Sequence, residues 1–415
     1  MKVAVVTSGT EGDVRPLAAL CATLDAAGHE TVLLADASTL ASAQRLGVAT
    51  QALAGDIQGT TGQGGSIADV VARSARPNDA ARALVGIANT HAAAWLRQTV
   101  DAARGCDAIV TSGLAGFVGL SAGEALGIPA IGAGMFPLTP TREFACPFLP
   151  PGRLWHRLNR ASFHLVNGFL WRAFRPSLNA ARAEVCSLPP RRRMWTTHPV
   201  LYGCSPTLLP RPADWPAQVH VCGQWTLPTP DWTPPPALAA FLGAGEPPVY
   251  IGFGSMGGFD TGRLRQALVD GLGGRRAVFY PGWSRIDVSG LPQHIHVLGD
   301  TPHDWLFPRM ACVVHHGGSG TTHSAARAGV PSVVAPFAGD QPFWAHRLAR
   351  VGVAPPATPG ARFGAGDLAR GLAFAGRPDV RARAAALGAR LRAEDGLGAA
   401  VAHLERLVPR TRARW

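Results

Sequence analysis

The 415-residue sequence contains no CxxC pair. Its seven cysteines, at 21, 106, 146, 186, 204, 222 and 312, are odd in number and scattered, which builds neither a disulfide framework nor a zinc ribbon. A reducing, cytoplasmic setting is the expectation. No uninterrupted apolar run approaches the ~20 residues of a spanning helix. The opening MKVAVVTSGT passes from a short strand straight into a glycine turn, with no apolar h-region of a signal peptide. Zinc-finger spacing, RNA-binding aromatic motifs and heptad-backed basic helices are missing as well, so no nucleic-acid partner is expected. No DxD pair offers itself to hold a phosphate-bound cation, so no metal is expected.

Charged residues are scarce at 16%, against 47% hydrophobic, which is a globular and not a disordered balance. The net charge of +12 and pI near 10.5 come from arginine far more than from lysine. Such a surface suits an anionic membrane or nucleic acid, but an Ala/Gly/Pro/Arg-rich chain also acquires this bias from genomic base composition.

The length exceeds what one core sustains, so two domains of roughly 200 residues each are expected. KVAVVTSGTEGDVRPLAALCATLDAAGHETVLLAD reads as strand, glycine turn, helix, a stop at Gly28 and a second strand ending at Asp36, a βαβ unit of a parallel sheet. DAIVTSG and IPAIGAG continue the pattern, with the helical FVGLSAGEAL between them. Around 205–248 proline and tryptophan crowd the chain and apolar periodicity is lost, as in a semi-rigid connector. PVYIGFGSM, RAVFYPG, HIHVLGD, ACVVHHGG and PSVVAPF then restart the alternation. The expected division is 1–224, a connector over 225–246, a second α/β domain over 247–390, and a terminal helix with basic tail over 391–415.

Two doubly wound domains place the carboxyl ends of their strands, where ligands are expected, on either side of a cleft. VVHHGGSGTTHSAARAG follows a strand and opens a helix. The amides of Gly317, Gly318, Ser319 and Gly320 then face outward at the positive end of a helix dipole, an anion site suited to a diphosphate. The hydroxyls of Ser319, Thr321 and Thr322 add donors, and His315 or His316 adds a donor or a cation. Tight packing with satisfied core histidines is the plainer alternative. Adjacent strand residues point to opposite faces, so His315 and His316 make poor joint metal ligands. GFGSM at 252–256 is a second turn of the same kind, placing Ser255 and nearby amides at the other end of one diphosphate. In GTEGDVRP, Asp13 reads either as a helix N-cap or as a carboxylate facing the cleft, and neither role excludes the other.

These motifs, in order, make the chain resemble the family 1 glycosyltransferases with the GT-B fold. Within them it is similar to the bacterial and fungal branch of sterol glucosyltransferases and glycopeptide-antibiotic glycosyltransferases. The resemblance covers nearly the whole chain and rests on GTEGDVRPLAAL, GQW at 223–225, PPVYIGFGSM, TPHDWLFPRMACVVHHGGSGTT at 301–322 and AGVPSVVAPFAGDQPFWAHRLARVGV at 328–353. It implies two Rossmann-like doubly wound domains, the first for an acceptor and the second for a nucleotide sugar. Asp13 matches the branch's catalytic base, and Gly254 and Ser255 match a loop touching the donor phosphates. His315 matches the diphosphate-binding histidine, with Ser319, Gly320 and Thr321 around the other phosphate. Asp340 and Gln341 match the pair that reads the sugar hydroxyls, and Thr301 and His303 lie where the backbone meets the nucleotide base.

The activity so implied is inverting, metal-independent hexose transfer from UDP-glucose or a TDP-sugar to an apolar small-molecule acceptor, with no cofactor beyond the nucleotide sugar. The acceptor classes are sterol or terpenoid, antibiotic aglycone, and glycolipid. A nucleotide-sugar epimerase or hydrolase on the same fold, or a catalytically silent nucleotide-sugar binder, stands as the alternative. The expected state is a monomer. Segment 153–175, RLWHRLNRASFHLVNGFLWRAFR, alternates apolar residues and arginines at helical spacing. It reads either as a helix packed on the core with solvated arginines, the default, or as an amphipathic helix on an anionic membrane.

Overall fold

The computed structural model describes residues 1–55, 77–152, 154–229, 231–253, 261–282 and 286–408. Among them, twelve strands form two sheets, each parallel throughout. The first sheet contains β1 (Lys2–Val6), β2 (Glu30–Ala35), β3 (Thr50–Ala52), β4 (Ala108–Thr111), β5 (Ala130–Gly134), β6 (Val200–Tyr202) and β7 (Val219–Val221). Its order is β3-β2-β1-β4-β5-β6-β7. The second contains β8 (Val249–Gly252), β9 (Ala277–Tyr280), β10 (Ile295–Val297), β11 (Cys312–His315) and β12 (Ser332–Val334), in the order β10-β9-β8-β11-β12.

Strands such as β1 and β11 are buried along nearly their whole length, which is why they read as unbroken apolar runs. Both orders reverse direction beside their first strand, between β1 and β4 and between β8 and β11. At such a switch point the loops from neighbouring strands diverge and leave a crevice. The turn carrying Asp13 follows β1, and the double-histidine turn follows β11.

All five strands read from the second half of the sequence are present. β3, β6 and β7 are not read from the sequence: each is three residues long, and β6 and β7 are flanked by prolines rather than by a longer apolar run. The Pro/Trp-rich stretch is not wholly a connector. Pro236–Gly243 is helical and sinks Leu238 into a core under the second sheet. The carboxyl end forms two helices, Pro378–Arg392 and Gly396–Leu407. The second returns to the first sheet, where Leu397, Ala400, Val401 and Leu404 join Val14, Leu17 and Leu24 in one core. The basic tail beyond Val408 lies outside the described residues.

A further apolar cluster straddles the two halves. Tyr202, Leu208, Leu209 and Trp215 pack with Phe343, Trp344, Leu348 and Leu387, so the first and second sheets share buried surface. Burying side chains of this size stabilises by about 1.5–3 kcal/mol each, which favours contact between the two halves. All seven cysteines are free thiols. Among the described residues no helix is long and apolar enough to cross a membrane.

Candidate functional site

His315 ends β11 and is fully buried. Its Nδ1 accepts the Gly317 N–H at 3.1 Å, so the ring proton resides on Nε2. That Nε2 is buried and has no hydrogen-bond partner among the described residues. Burial drives the imidazole well below its ordinary 6.5, with smaller contributions from His316 and His303. His316 is likewise pushed down to about 4 by burial, and its Nδ1 is also without a partner among the described residues. The sequence left open a donor or a cation here. The structure makes both rings neutral, because desolvation outweighs any gain from charge, and His315 is an N–H donor.

The turn that follows them explains its glycines locally. Gly317 has φ +93°, and a Cβ there would lie 2.8 Å from Val334 Cγ1 and 3.0 Å from the Gln341 carbonyl. Packing and backbone both demand glycine at that position. Gly320 is different: it is exposed, and a Cβ on it would meet open space. Gly318 caps the helix Ser319–Ala328, whose first amides have no intrahelical acceptor and carry the positive end of its dipole. Thr321 is partly buried in that first turn, and the buried Thr322 Oγ1 has no partner among the described residues.

Ser319 departs from expectation. Its hydroxyl donates to the Met135 carbonyl at 2.7 Å, just past β5 of the first sheet. Its side chain therefore joins the two halves, and what it presents to the turn is its amide. Sequence reasoning also missed His323, one helical turn on. Fully buried, His323 meets the Ser319 carbonyl through Nδ1 at 2.7 Å and accepts the Ser205 N–H through Nε2 at 3.0 Å. Its spacing of four from Ser319 was the available signal, since i and i+4 share a helix face.

On the opposite wall, the N-cap position read at Asp13 falls instead on Thr10, and Asp13 is the third residue of the helix, a partly buried carboxylate that reaches back to the cap. Thr10 donates its N–H at 2.8 Å and its hydroxyl at 3.2 Å to Asp13 Oδ2, while Asp13 N–H returns a bond to the Thr10 carbonyl at 2.9 Å. Burial raises the carboxyl above its ordinary 3.8, and the Thr10 bonds oppose that rise. Gly9 is needed beneath it, because a Cβ there would overlap Asp13 Oδ2.

Asp340 precedes the helix Gln341–Arg350, and its Oδ2 accepts Trp344 Nε1–H at 2.8 Å. Burial lifts it to about 7, with Asp13 close enough for its charge to add to the rise. The two carboxylates thus face one crevice from different sheets. Gln341 is buried, and its Oε1 accepts the N–H groups of Phe337 and Ala338 at 2.8 and 3.2 Å, which shapes the turn after β12.

Thr301 donates its hydroxyl to the Gly299 carbonyl at 3.1 Å. His303 stacks on Phe307 at 4.2 Å and is pushed down to about 4, first by burial and then by Arg15. Arg15, from the helix that carries Asp13, reaches Asp300 at 4.0 Å, a cross-crevice contact that no local sequence pattern encodes. Gly254 and Ser255 lie outside the described residues. The structure therefore gathers Asp13, Asp340, His303, His315 and the Gly317–Thr321 turn at the facing strand ends.

The model of the Erythromycin biosynthesis protein CIII-like, C-terminal domain matches residues 277–393. The O-mycaminosyltylonolide 6-deoxyallosyltransferase of Streptomyces fradiae is 34% identical over 420 residues, spanning 96% of this chain and 95% of its own. The sterol 3-beta-glucosyltransferase UGT80B1 of Arabidopsis thaliana is 30% identical over 432 residues, spanning 99% of this chain and 68% of its own. Among solved structures, the glycotransferase of kitacinnamycin superposes with a TM-score of 0.70 at 21% identity, covering 98% of this chain and 99% of its own, a likeness of fold.

Proposed function

The chain belongs to the family 1 glycosyltransferases with the GT-B fold, and from that membership we propose an inverting, metal-independent transfer of a hexose from UDP-glucose or a TDP-sugar to an apolar acceptor. The observation that carries the donor side is His315, a buried neutral imidazole with an unpartnered Nε2–H beside a helix N-terminus. Such a donor suits an oxygen that gains negative charge during reaction.

In this reading the acceptor oxygen attacks the anomeric carbon and its proton passes to Asp13. Both Thr10 bonds fall on Oδ2, so Oδ1 is the oxygen assigned to that proton. The bond from the anomeric carbon to the β-phosphate oxygen breaks, and its electron pair leaves with the diphosphate. The His315 Nε2–H and the amides of Gly318, Ser319 and Gly320 meet that charge, with Gly254 and Ser255 assigned to the same diphosphate. Asp340 and Gln341 are assigned to the sugar hydroxyls, and Thr301 and His303 to the base. A raised carboxyl at Asp13 makes it a stronger base than a solvated aspartate.

The relatives are named for O-mycaminosyltylonolide and for sterol. The acceptor is accordingly proposed as a sterol or terpenoid, an antibiotic aglycone or a glycolipid. The enzyme is proposed to work as a cytoplasmic monomer.

The test is thermal stabilisation by a panel of nucleotides and nucleotide sugars with chelator present, since a ligand of the native state alone raises the melting temperature. UDP or TDP should stabilise without metal. A folded sample that responds to neither removes the donor assignment.

A further inference from the structure

The helix Asn159–Cys186 is held firmly along one side and bare along part of the other. Phe163, Trp171, Phe174 and Leu178 are buried beneath it. Near its end Arg182, 1% exposed, meets Glu124 at 2.9 Å and Ser121 Oγ at 3.3 Å, while Ser177 Oγ reaches Asn89 Oδ1. Its outer side carries Leu165 and Phe169 at 71% and 64% exposure, four apart on one stripe, and Leu158, 48% exposed, stands at its N-cap just before them. Trp155, 81% exposed, stands just ahead of the helix. Isolated exposed apolar residues need no explanation, but a contiguous stripe that includes tryptophan and phenylalanine does.

Charge decides what the stripe fits. Residues 144–183 contain no aspartate or glutamate and six arginines. Arg157, Arg172 and Arg175 are exposed beside the stripe and have no carboxylate within 4 Å among the described residues. Arg160 is set apart, since it lies near enough to Asp214 to influence that carboxyl. A protein partner would have to present an apolar groove ringed by acids. A bilayer of anionic lipid offers both features at once: acyl chains for the tryptophan, leucines and phenylalanine, and phosphate headgroups for the guanidinium groups.

We propose that the exposed stripe Trp155, Leu158, Leu165 and Phe169, flanked by Arg157, Arg172 and Arg175, is a docking surface for an anionic lipid bilayer. The stripe is continuous in chain with the crevice. Met135, bonded to Ser319, leads to Phe136, whose ring meets the part-exposed Phe148 at 5.3 Å, and the chain then runs on to Trp155. Resting on the proposed apolar acceptor, this placement delivers a lipid-soluble acceptor to the crevice from the membrane side.

Vesicle sedimentation tests it independently of turnover. Wild-type protein should sediment with phosphatidylcholine vesicles containing about 30% phosphatidylglycerol at low salt and be released by about 0.5 M salt. Pure phosphatidylcholine should retain little. The triple variant Trp155→Gln, Leu165→Gln, Phe169→Gln should lose about tenfold or more in partition, and the triple variant Arg157→Gln, Arg172→Gln, Arg175→Gln should lose the salt-sensitive part. Thermal stabilisation by UDP or TDP should be the same in all three proteins, which separates loss of docking from loss of fold or donor binding. Wild type that stays in the supernatant at low salt, or variants that sediment as wild type does, would overturn the proposal. So would light scattering that shows a wild-type dimer and a monomeric apolar variant, which would make the stripe an interface between copies.

Discussion

The Ser319 hydroxyl donates to the Met135 carbonyl at 2.7 Å, so the first residue of the helix behind the glycine turn is fastened to the residue just after β5 of the opposite sheet. His323 repeats the fastening one turn later through Ser319 and Ser205. The helix Ser319–Ala328 is thus part of the seam between the two halves.

His323 makes the seam sensitive to acid. Its neutral ring accepts the Ser205 N–H, and burial pushes its folded value from 6.5 down to about 4. A base with a depressed folded value contributes stability that is fully present above about 6.5 and is lost as pH falls toward 4. His323→Gln removes one titrating group from that window. Melting curves across it should show a shallower acid slope for the variant and a lower plateau at neutral pH, by about 1–3 kcal/mol for a buried N–H left without its acceptor. Part of the slope should persist, because burial also pushes His315 and the partly buried His303 and His316 downward. An unchanged slope would remove His323 from the account.

Asp13→Asn keeps an acceptor for the Thr10 bonds and cannot take up the acceptor's proton. Turnover should fall by about two orders of magnitude or more, with donor affinity nearly unchanged. Gly9→Ala tests the same carboxylate by geometry, since the added methyl would displace Asp13 Oδ2. It should lower turnover and preserve donor-induced stabilisation. Near-normal turnover in Asp13→Asn would end the assignment of Asp13 as base.

Much of this was legible in the chain because its strands are buried on both sides and its turns are glycine-marked. VVHH followed by GGSG shows a strand and a helix start, and GTEGD shows a cap. The short strands β6 and β7 were hidden in proline-rich sequence, and so was the helix Pro236–Gly243. Ser319 was legible as a residue of the turn but not as a tie to Met135, since that bond joins positions 184 apart and no local pattern encodes it. The protonation state of the histidines was also illegible: it depends on burial, which only the packed crevice supplies.

His315→Ala removes the Nε2–H and also frees the Gly317 N–H that its Nδ1 receives. Isothermal titration with UDP or TDP should show affinity lower by about ten- to a hundredfold, the range for one hydrogen bond to a charged group. His315→Gln, which can restore a donor at similar reach, should recover part of it. Equal affinity for wild type and alanine variant would return this histidine to a packing role.

Asp340 supplies the opposite pH signature. Burial lifts its carboxyl from 3.8 to about 7, and the charge of Asp13 adds to that lift. An acid with a raised folded value stabilises in its protonated form, so its contribution is complete below about 3.8 and is lost as pH rises toward 7. Asp340→Asn stays neutral and can still accept the Trp344 indole N–H. The variant should therefore melt higher than wild type at about pH 8 and no higher at about pH 4. Because Asp13 is one source of the lift, the same substitution made in the Asp13→Asn background should gain less at about pH 8 than it does alone. Equal gains in both backgrounds would mean that the two carboxylates do not sense each other across the crevice.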